Sequence, residues 1–225
     1  MEVVAIPGTL CAPSVFRRLA ERLAGEIEVE PVSWLTEPGP WDIPTVADRI
    51  AARITEPALV LGHSTGGAIA LRLALAHPDL VRGLILVDTG ANMHGHGDAE
   101  RIIATLATDW GPELRAAVLD RSFATPPDPA DRAELLAYAA TVPVEAALGV
   151  LRSQRDLDLT PRLAQLRCPV TIVHGALDRA RPVEQVYELA ADIPGARLRI
   201  VDTGHTPVYE APDAVAEEIL AFLTT

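Results

Sequence analysis

Residues 58–76 read ALVLGHSTGGAIALRLALA, and the interpretation of this stretch settles how the rest of the chain is arranged. Ala58, Leu59, Val60 and Leu61 form a short apolar run suited to a strand buried in a parallel sheet. Gly62, His63, Ser64, Thr65 and Gly66 then match G-x-S-x-G, where glycines two before and two after the serine let backbone pass where a β-carbon would clash. The pattern places Ser64 on a sharp strand-to-helix turn at the carboxyl end of the strand. Ile69, Leu71, Leu73, Ala74 and Leu75 follow, apolar on nearly every side, as in a helix packed in the middle of a protein. That helix starts at Thr65, so its free N–H groups and positive dipole end face negative charge developing beside Ser64.

The 225 residues are 49% hydrophobic and 22% charged, which suits one well-filled domain, with or without an insertion, and excludes disorder. The net charge is −12 and all 19 basic residues are arginine. No basic run occurs, so neither nucleic acid nor an anionic membrane is an expected partner. Without lysine there is no Schiff base and no lysine-activated serine. The opening Met-Glu-Val-Val carries no secretory pattern, from which a cytoplasmic location is expected, and no stretch has the unbroken apolar length of a membrane span. Cys11 follows one expected strand and Cys168 precedes another, on opposite edges of a parallel sheet, so no disulfide is expected.

Strand and helix patterns alternate along the chain. Strands are expected at residues 3–6, 27–32, 58–61, 83–87, 170–174 and 198–201, the second at an edge because charges alternate along it. Helices are expected at 13–24, 45–54, 65–76 and 182–191, and over the last residues, where Val215, Ile219, Phe222 and Leu223 share a face. Such alternation predicts an α/β fold: a mostly parallel sheet of about six strands with helices on both faces and functional groups at the carboxyl ends of the strands. Between residues 91 and 166 the pattern changes to four helical segments, near 98–108, 113–122, 130–140 and 144–155, with no strand signal. The expected organisation is therefore a core of 1–90 and 167–225 interrupted by a helical layer at 91–166.

A serine hydroxyl attacks an acyl carbon only with a base, normally histidine, that is oriented by a carboxylate. Two later strands supply these partners: His174-Gly175-Ala176-Leu177-Asp178 sets Asp178 just past one, and Asp202-Thr203-Gly204-His205 sets His205 past the last. The order Ser64, Asp178, His205 is the one expected with G-x-S-x-G. Asp88, ending the fourth strand, is a rival acid, and Asp202 lies too near His205 in sequence to be the first choice. His63 reads as scaffolding of the turn, and His77 and His174 as structural. His94 and His96 have H-x-H spacing, but flexible glycines and no nearby cysteine favour a hinge loop over a metal site. Cys11 reads as packing.

With these motifs in place the chain resembles an α/β-hydrolase from Val3 to Leu223, through G-H-S-T-G, H-G-A-L-D and G-H-T-P-V-Y-E-A-P in the family's order. It departs from the family by lacking the first two strands and by carrying Pro7-Gly8-Thr9-Leu10 where many relatives have His-Gly. The resemblance implies that residues 91–166 are a cap over the site, that the amides of Thr9 and Thr65 form an oxyanion hole, with Leu10 the alternative if the loop shifts by one, and that no cofactor or metal is needed. It implies hydrolysis of a carboxylic ester or related acyl bond through an acyl-enzyme. Serine at the turn argues against epoxide or haloalkane chemistry, for which relatives use aspartate.

Leu10 with Trp110, Phe123 and Tyr138 suggests a small to medium, largely apolar ester or acyl substrate, although aromatics in helices also bury for packing. An acidic carrier protein as partner is disfavoured by the net charge, unless Arg115 and Arg121 form a local basic mouth. Relatives with the same triad also perform C–C cleavage, lyase or cyclisation steps, and a non-catalytic ligand-binding role is a third alternative.

Overall fold

A computed structural model describes residues 2–94 and 99–223. In chain order the core runs β1 (Glu2–Ile6), α1 (Arg17–Leu23), β2 (Glu28–Pro31), α2 (Ile43–Ala51), β3 (Ala58–His63), α3 (Thr65–Ala76) and β4 (Val81–Val87). Four helices follow, α4 (Ala99–Thr108), α5 (Pro112–Arg121), α6 (Pro129–Thr141) and α7 (Val144–Asp156). The core then resumes with β5 (Val170–Gly175), α8 (Val183–Asp192), β6 (Arg197–Val201), α9 (Pro207–Glu210) and α10 (Pro212–Leu220).

The six strands form one sheet in the order β2-β1-β3-β4-β5-β6. Every pairing is parallel. Period-two alternation divides the strand side chains between two cores. Val3, Ala5, Leu59, Leu61, Ile85 and Val87 face α1 and α10 through Leu19, Leu23, Val215 and Ile219. Val4, Ile6, Val60, Leu84, Leu86 and Ile172 face α2, α3 and α8 through Ile43, Ile50, Ile69, Leu73 and Val186. Strand β3 is buried along its whole length, as a central parallel strand must be. Strand β2, with its glutamates and Pro31, occupies an edge, where charge and a missing N–H discourage pairing with another chain.

Three boundaries differ from the sequence expectation for local reasons. Helix α2 starts earlier because the Asp42 side chain caps it, accepting from the Thr45 N–H at 3.0 Å, and Pro44 fits its first turn. The expected first helix opens with a 3-10 turn at Pro13–Phe16 before α1. The short α9 is an addition, one turn just past His205. Cys11 and Cys168 are both free thiols. No single helix among the described residues is long and apolar enough to cross a membrane.

In the order β2-β1-β3 the chain leaves β1 toward one edge and returns to β3 on its other side. Ligands of open α/β sheets bind in the crevice at such a reversal, outside the carboxyl ends of the strands. The loops after β1 and β3, carrying Thr9 and Ser64, flank this crevice. Their approach requires Gly66, since a β-carbon there would lie 2.0 Å from the Ile6 carbonyl oxygen. Gly66→Ala is therefore expected to cost about 1–3 kcal/mol or more by overpacking, lowering Tm by about 2–4 °C per kcal/mol. An unchanged Tm in scanning calorimetry would show that the two loops can part at no cost.

Candidate active site

Ser64 adopts φ 54° and ψ −124°, a left-handed conformation that side chains with a β-carbon rarely take. Several backbone bonds hold it there. Its N–H donates to Val87 O at 2.9 Å, and its carbonyl accepts from Gly67 N–H at 2.8 Å and from the Thr89 hydroxyl at 2.7 Å. The turn projects Oγ into the crevice, where Gly8 passes so close that a β-carbon on it would sit 2.8 Å from Cβ of Ser64.

Three side chains from different strand ends form one hydrogen-bonded chain. The Ser64 hydroxyl donates to His205 Nε2 at 2.8 Å, and His205 Nδ1–H donates to Asp178 Oδ2 at 2.6 Å. His205 is 7% exposed, and the Asp178 carboxylate is fully buried. Burial opposes charge on Asp178, but the hydrogen bond from His205 and the electrostatic attraction to that ring outweigh it and hold the carboxyl below its usual range. Amides of Ala180 and Arg181 donate to the other oxygen at 2.6 and 3.1 Å.

The residues around this chain brace it. His63 is fully buried, and desolvation with the neighbouring His205 pushes its imidazole down to about 3, so it is neutral. Its Nε2–H donates to the His205 carbonyl at 2.7 Å, which ties the serine turn to the histidine loop and gives the expected scaffolding a definite bond. Glu210 on α9 accepts from Gly204 N–H at 3.0 Å and from the amides of Ala124 and Thr125 at 2.9 and 3.0 Å. A chain of hydroxyls runs from Thr9 to Thr65 at 2.9 Å and on to the buried Gln154 amide oxygen at 3.0 Å. Sequence reasoning missed Glu210, Thr89 and Gln154; only the glutamate in G-H-T-P-V-Y-E carried any signal, as a carboxylate next to a loop rich in free amides.

A cavity of about 560 Å³ opens onto Ser64 and His205. Leu10 and Phe123 line it with Thr9 and Thr65, and all four inserted helices contribute, through Leu106, Leu119, Ala139, Leu151 and others. Neither Thr9 nor Thr65 donates its amide to a backbone carbonyl among the described residues. Trp110 and Tyr138 lie outside the lining: the Trp110 indole donates to Val142 O at 3.3 Å, and both rings pack against the hydrophobic core. His94 is exposed beside Asn92, while His96 falls outside the described residues.

Asp88, the rival acid, does not contact the histidine of the chain but stands behind Asp178. Ligand atoms of Asp88, His174 and Asp178 lie within 4.8 Å of one another, and Asp88 and His174 are 1% and 0% exposed. The Asp178 oxygens are already engaged by His205 and two amides, so this cluster offers a metal no free carboxylate from that residue. Burial and the adjacent Asp178 charge push the Asp88 carboxyl well above its ordinary 3.8. A raised folded-state value means that the stability contributed is complete below 3.8 and is lost as pH rises toward the folded value. Asp88→Asn cannot ionise, so its Tm is expected to gain on wild type progressively as pH rises above about 4. A difference independent of pH in calorimetry would contradict the upward shift of the Asp88 carboxyl.

Comparison with known proteins agrees with this architecture. The alpha/beta hydrolase family profile matches residues 3–218. A pimeloyl-[acyl-carrier protein] methyl ester esterase of Chromobacterium violaceum is 30% identical, over 95% of this chain and 86% of its own. The protein of that name from Neisseria meningitidis serogroup A is 28% identical over 83% of this chain, which spans 66% of the relative's length. Among solved structures, the enol-lactonase from Burkholderia xenovorans LB400 superimposes with a TM-score of 0.87, at 22% identity, covering 100% of this chain and 91% of that one. A parallel sheet of this order, a serine held at a strained turn after a central strand and a profile match along nearly the whole chain agree, and the protein belongs to the alpha/beta hydrolase family.

Proposed function

We propose that the protein is a serine hydrolase that cleaves a carboxylic ester, or a related acyl bond, through an acyl-enzyme. The observation that carries this reading is the unbroken hydrogen-bonded chain from Ser64 through His205 to Asp178, ending at a cavity. Ser64 Oγ attacks the substrate carbonyl while His205 Nε2 takes its proton, and Asp178 holds the ring in the tautomer that leaves Nε2 free and stabilises the cation. The amides of Thr9 and Thr65, together with the amino end of α3, receive the oxyanion. His205 then protonates the leaving alcohol, and water activated by the same nitrogen releases the acid.

Residues 91–166 act as a cap, whose helices cover the reacting atoms and exclude water from them. The cavity is walled mainly by aliphatic side chains and Phe123, which suits an acyl chain of small to medium length. The curated relatives, named as esterases of an acyl chain on a carrier protein, support an ester substrate of this kind.

A fluorophosphonate tests the reading. The protein is expected to gain one phosphonyl group, detected by intact mass, and Ser64→Ala none. Asp178→Asn is expected to lower turnover of an activated ester by about 10⁴-fold. Absence of labelling in a protein shown to be folded would sink the proposal.

A further inference from the structure

Five arginines line the cavity above Ser64: Arg101, Arg115, Arg121, Arg179 and Arg181. The lining holds one acidic residue, Asp88, which is buried and whose carboxyl burial and the adjacent Asp178 charge push well above its ordinary range. In a chain of net charge −12 this concentration runs against the overall balance. Of the fourteen arginines elsewhere, eight pair with aspartate or glutamate: Arg17, Arg18, Arg22, Arg53, Arg132, Arg155, Arg197 and Arg199.

Arg115, Arg121, Arg179 and Arg181 are held differently. Arg115 donates to the Trp110 carbonyl, with its guanidinium 6.0 Å from that ring, and Arg121 donates to the Arg179 carbonyl at 2.7 Å. No carboxylate forms an ion pair with Arg115, Arg121 or Arg179 among the described residues. Arg181 is buried deeper, bonded to Gln185 and the Asn92 carbonyl, and the Asp178 charge offsets its own. The unneutralised charge is thus at the rim, on α5 and on the loop after β5. The bond from Arg121 to Arg179 brings these two elements together beside Ser122 and Phe123.

The geometry points to a substrate that carries an anionic oxyacid group, carboxylate or phosphate, away from its scissile bond, with Arg115, Arg121 and Arg179 as its binding site. This deepens the hydrolase reading and rests on it. Guanidinium groups donate to such oxygens in a planar fork, and a partly dehydrated cavity mouth strengthens the attraction over that in open water. The apolar walls hold the acyl chain while the rim holds the charge, so an ester with both features is bound at two points and one lacking the anion at one. The anion can sit on either side of the ester, as the second carboxylate of a half-ester or as a phosphate on the alcohol or thiol portion.

Two substrate pairs distinguish these sources. The first is p-nitrophenyl butyrate against the p-nitrophenyl half-ester of glutaric acid; the second is S-butyryl pantetheine against its 4′-phosphate. In at least one pair the anionic member is expected to have a kcat/KM higher by about ten-fold or more at low salt, as one charge-assisted contact supplies. Raising salt from about 20 mM to about 500 mM should erode that advantage. Arg121→Gln and Arg179→Gln should remove it by lowering the rate of the anionic member far more than that of the neutral one, and Arg121→Lys should retain part of it. Equal rates within each pair, or a preference surviving both glutamine variants, would overturn the inference. Dissociation constants of butyrate against glutarate and of pantetheine against its 4′-phosphate, measured by calorimetry on Ser64→Ala, carry the same comparison without turnover. An anion preference there beside an inactive wild type would overturn the hydrolase reading and leave the anion site standing, whereas equal affinities would overturn the anion site alone.

Discussion

The backbone of Ser64 is the constraint from which the site is built. A serine at positive φ between a strand and a helix is costly in isolation, on the order of 1–3 kcal/mol, and persists only where neighbours over-determine it. Here they do so from two directions. Val87 and Thr89, at the end of β4, grip the amide and carbonyl of Ser64, while Gly66 lets the turn lie against the carbonyl of Ile6. The sheet order β1-β3-β4 puts those two neighbours on either side of the turn, so the position of Ser64 follows from strand adjacency. The helix that must begin where the turn ends then presents its unpaired amides to the same crevice.

A second constraint is electrostatic. Two carboxyls, Asp88 and Asp178, end adjacent strands, and burial forbids both from being charged. The donors decide which one ionises. Asp178 receives two amides and an imidazole, and Asp88 receives the Gly175 N–H at 3.1 Å, with His174 Nδ1 3.2 Å from the same oxygen. The charge therefore resides on the residue that faces His205.

What could be read from the sequence was whatever is encoded in one short segment. Ser64, Asp178 and His205 each sit one to four residues past an apolar run, so strand periodicity and local spacing were enough to single out the three side chains that meet in one hydrogen-bonded chain. The six-strand parallel sheet was legible for the same reason. Residues whose roles depend on distant partners were not: Glu210 acts on amides 85 and 86 positions away, and Gln154 meets Thr65 across 89. The aromatics of the inserted helices were ambiguous because a helix pattern gives a buried face without saying which neighbour buries it; Phe123 reached the cavity, whereas Trp110 and Tyr138 turned to the core. The earlier start of α2 came from the Asp42 cap, a signal present in the sequence but weaker than the apolar spacing that followed it.

The hydroxyl chain from Thr9 through Thr65 to Gln154 limits how freely the helical insertion can be exchanged. Insertions in this position look modular, since both junctions lie at the ends of strands and the sheet closes without them. Yet Thr65 uses its hydroxyl proton on an amide that belongs to α7. A transplanted layer of other sequence would leave that buried donor without an acceptor unless it presented one at the same point, and the loss would fall on the two loops beside Ser64. The insertion and the core are thus matched parts, and recombination between relatives should succeed only where this single polar contact travels with the helices.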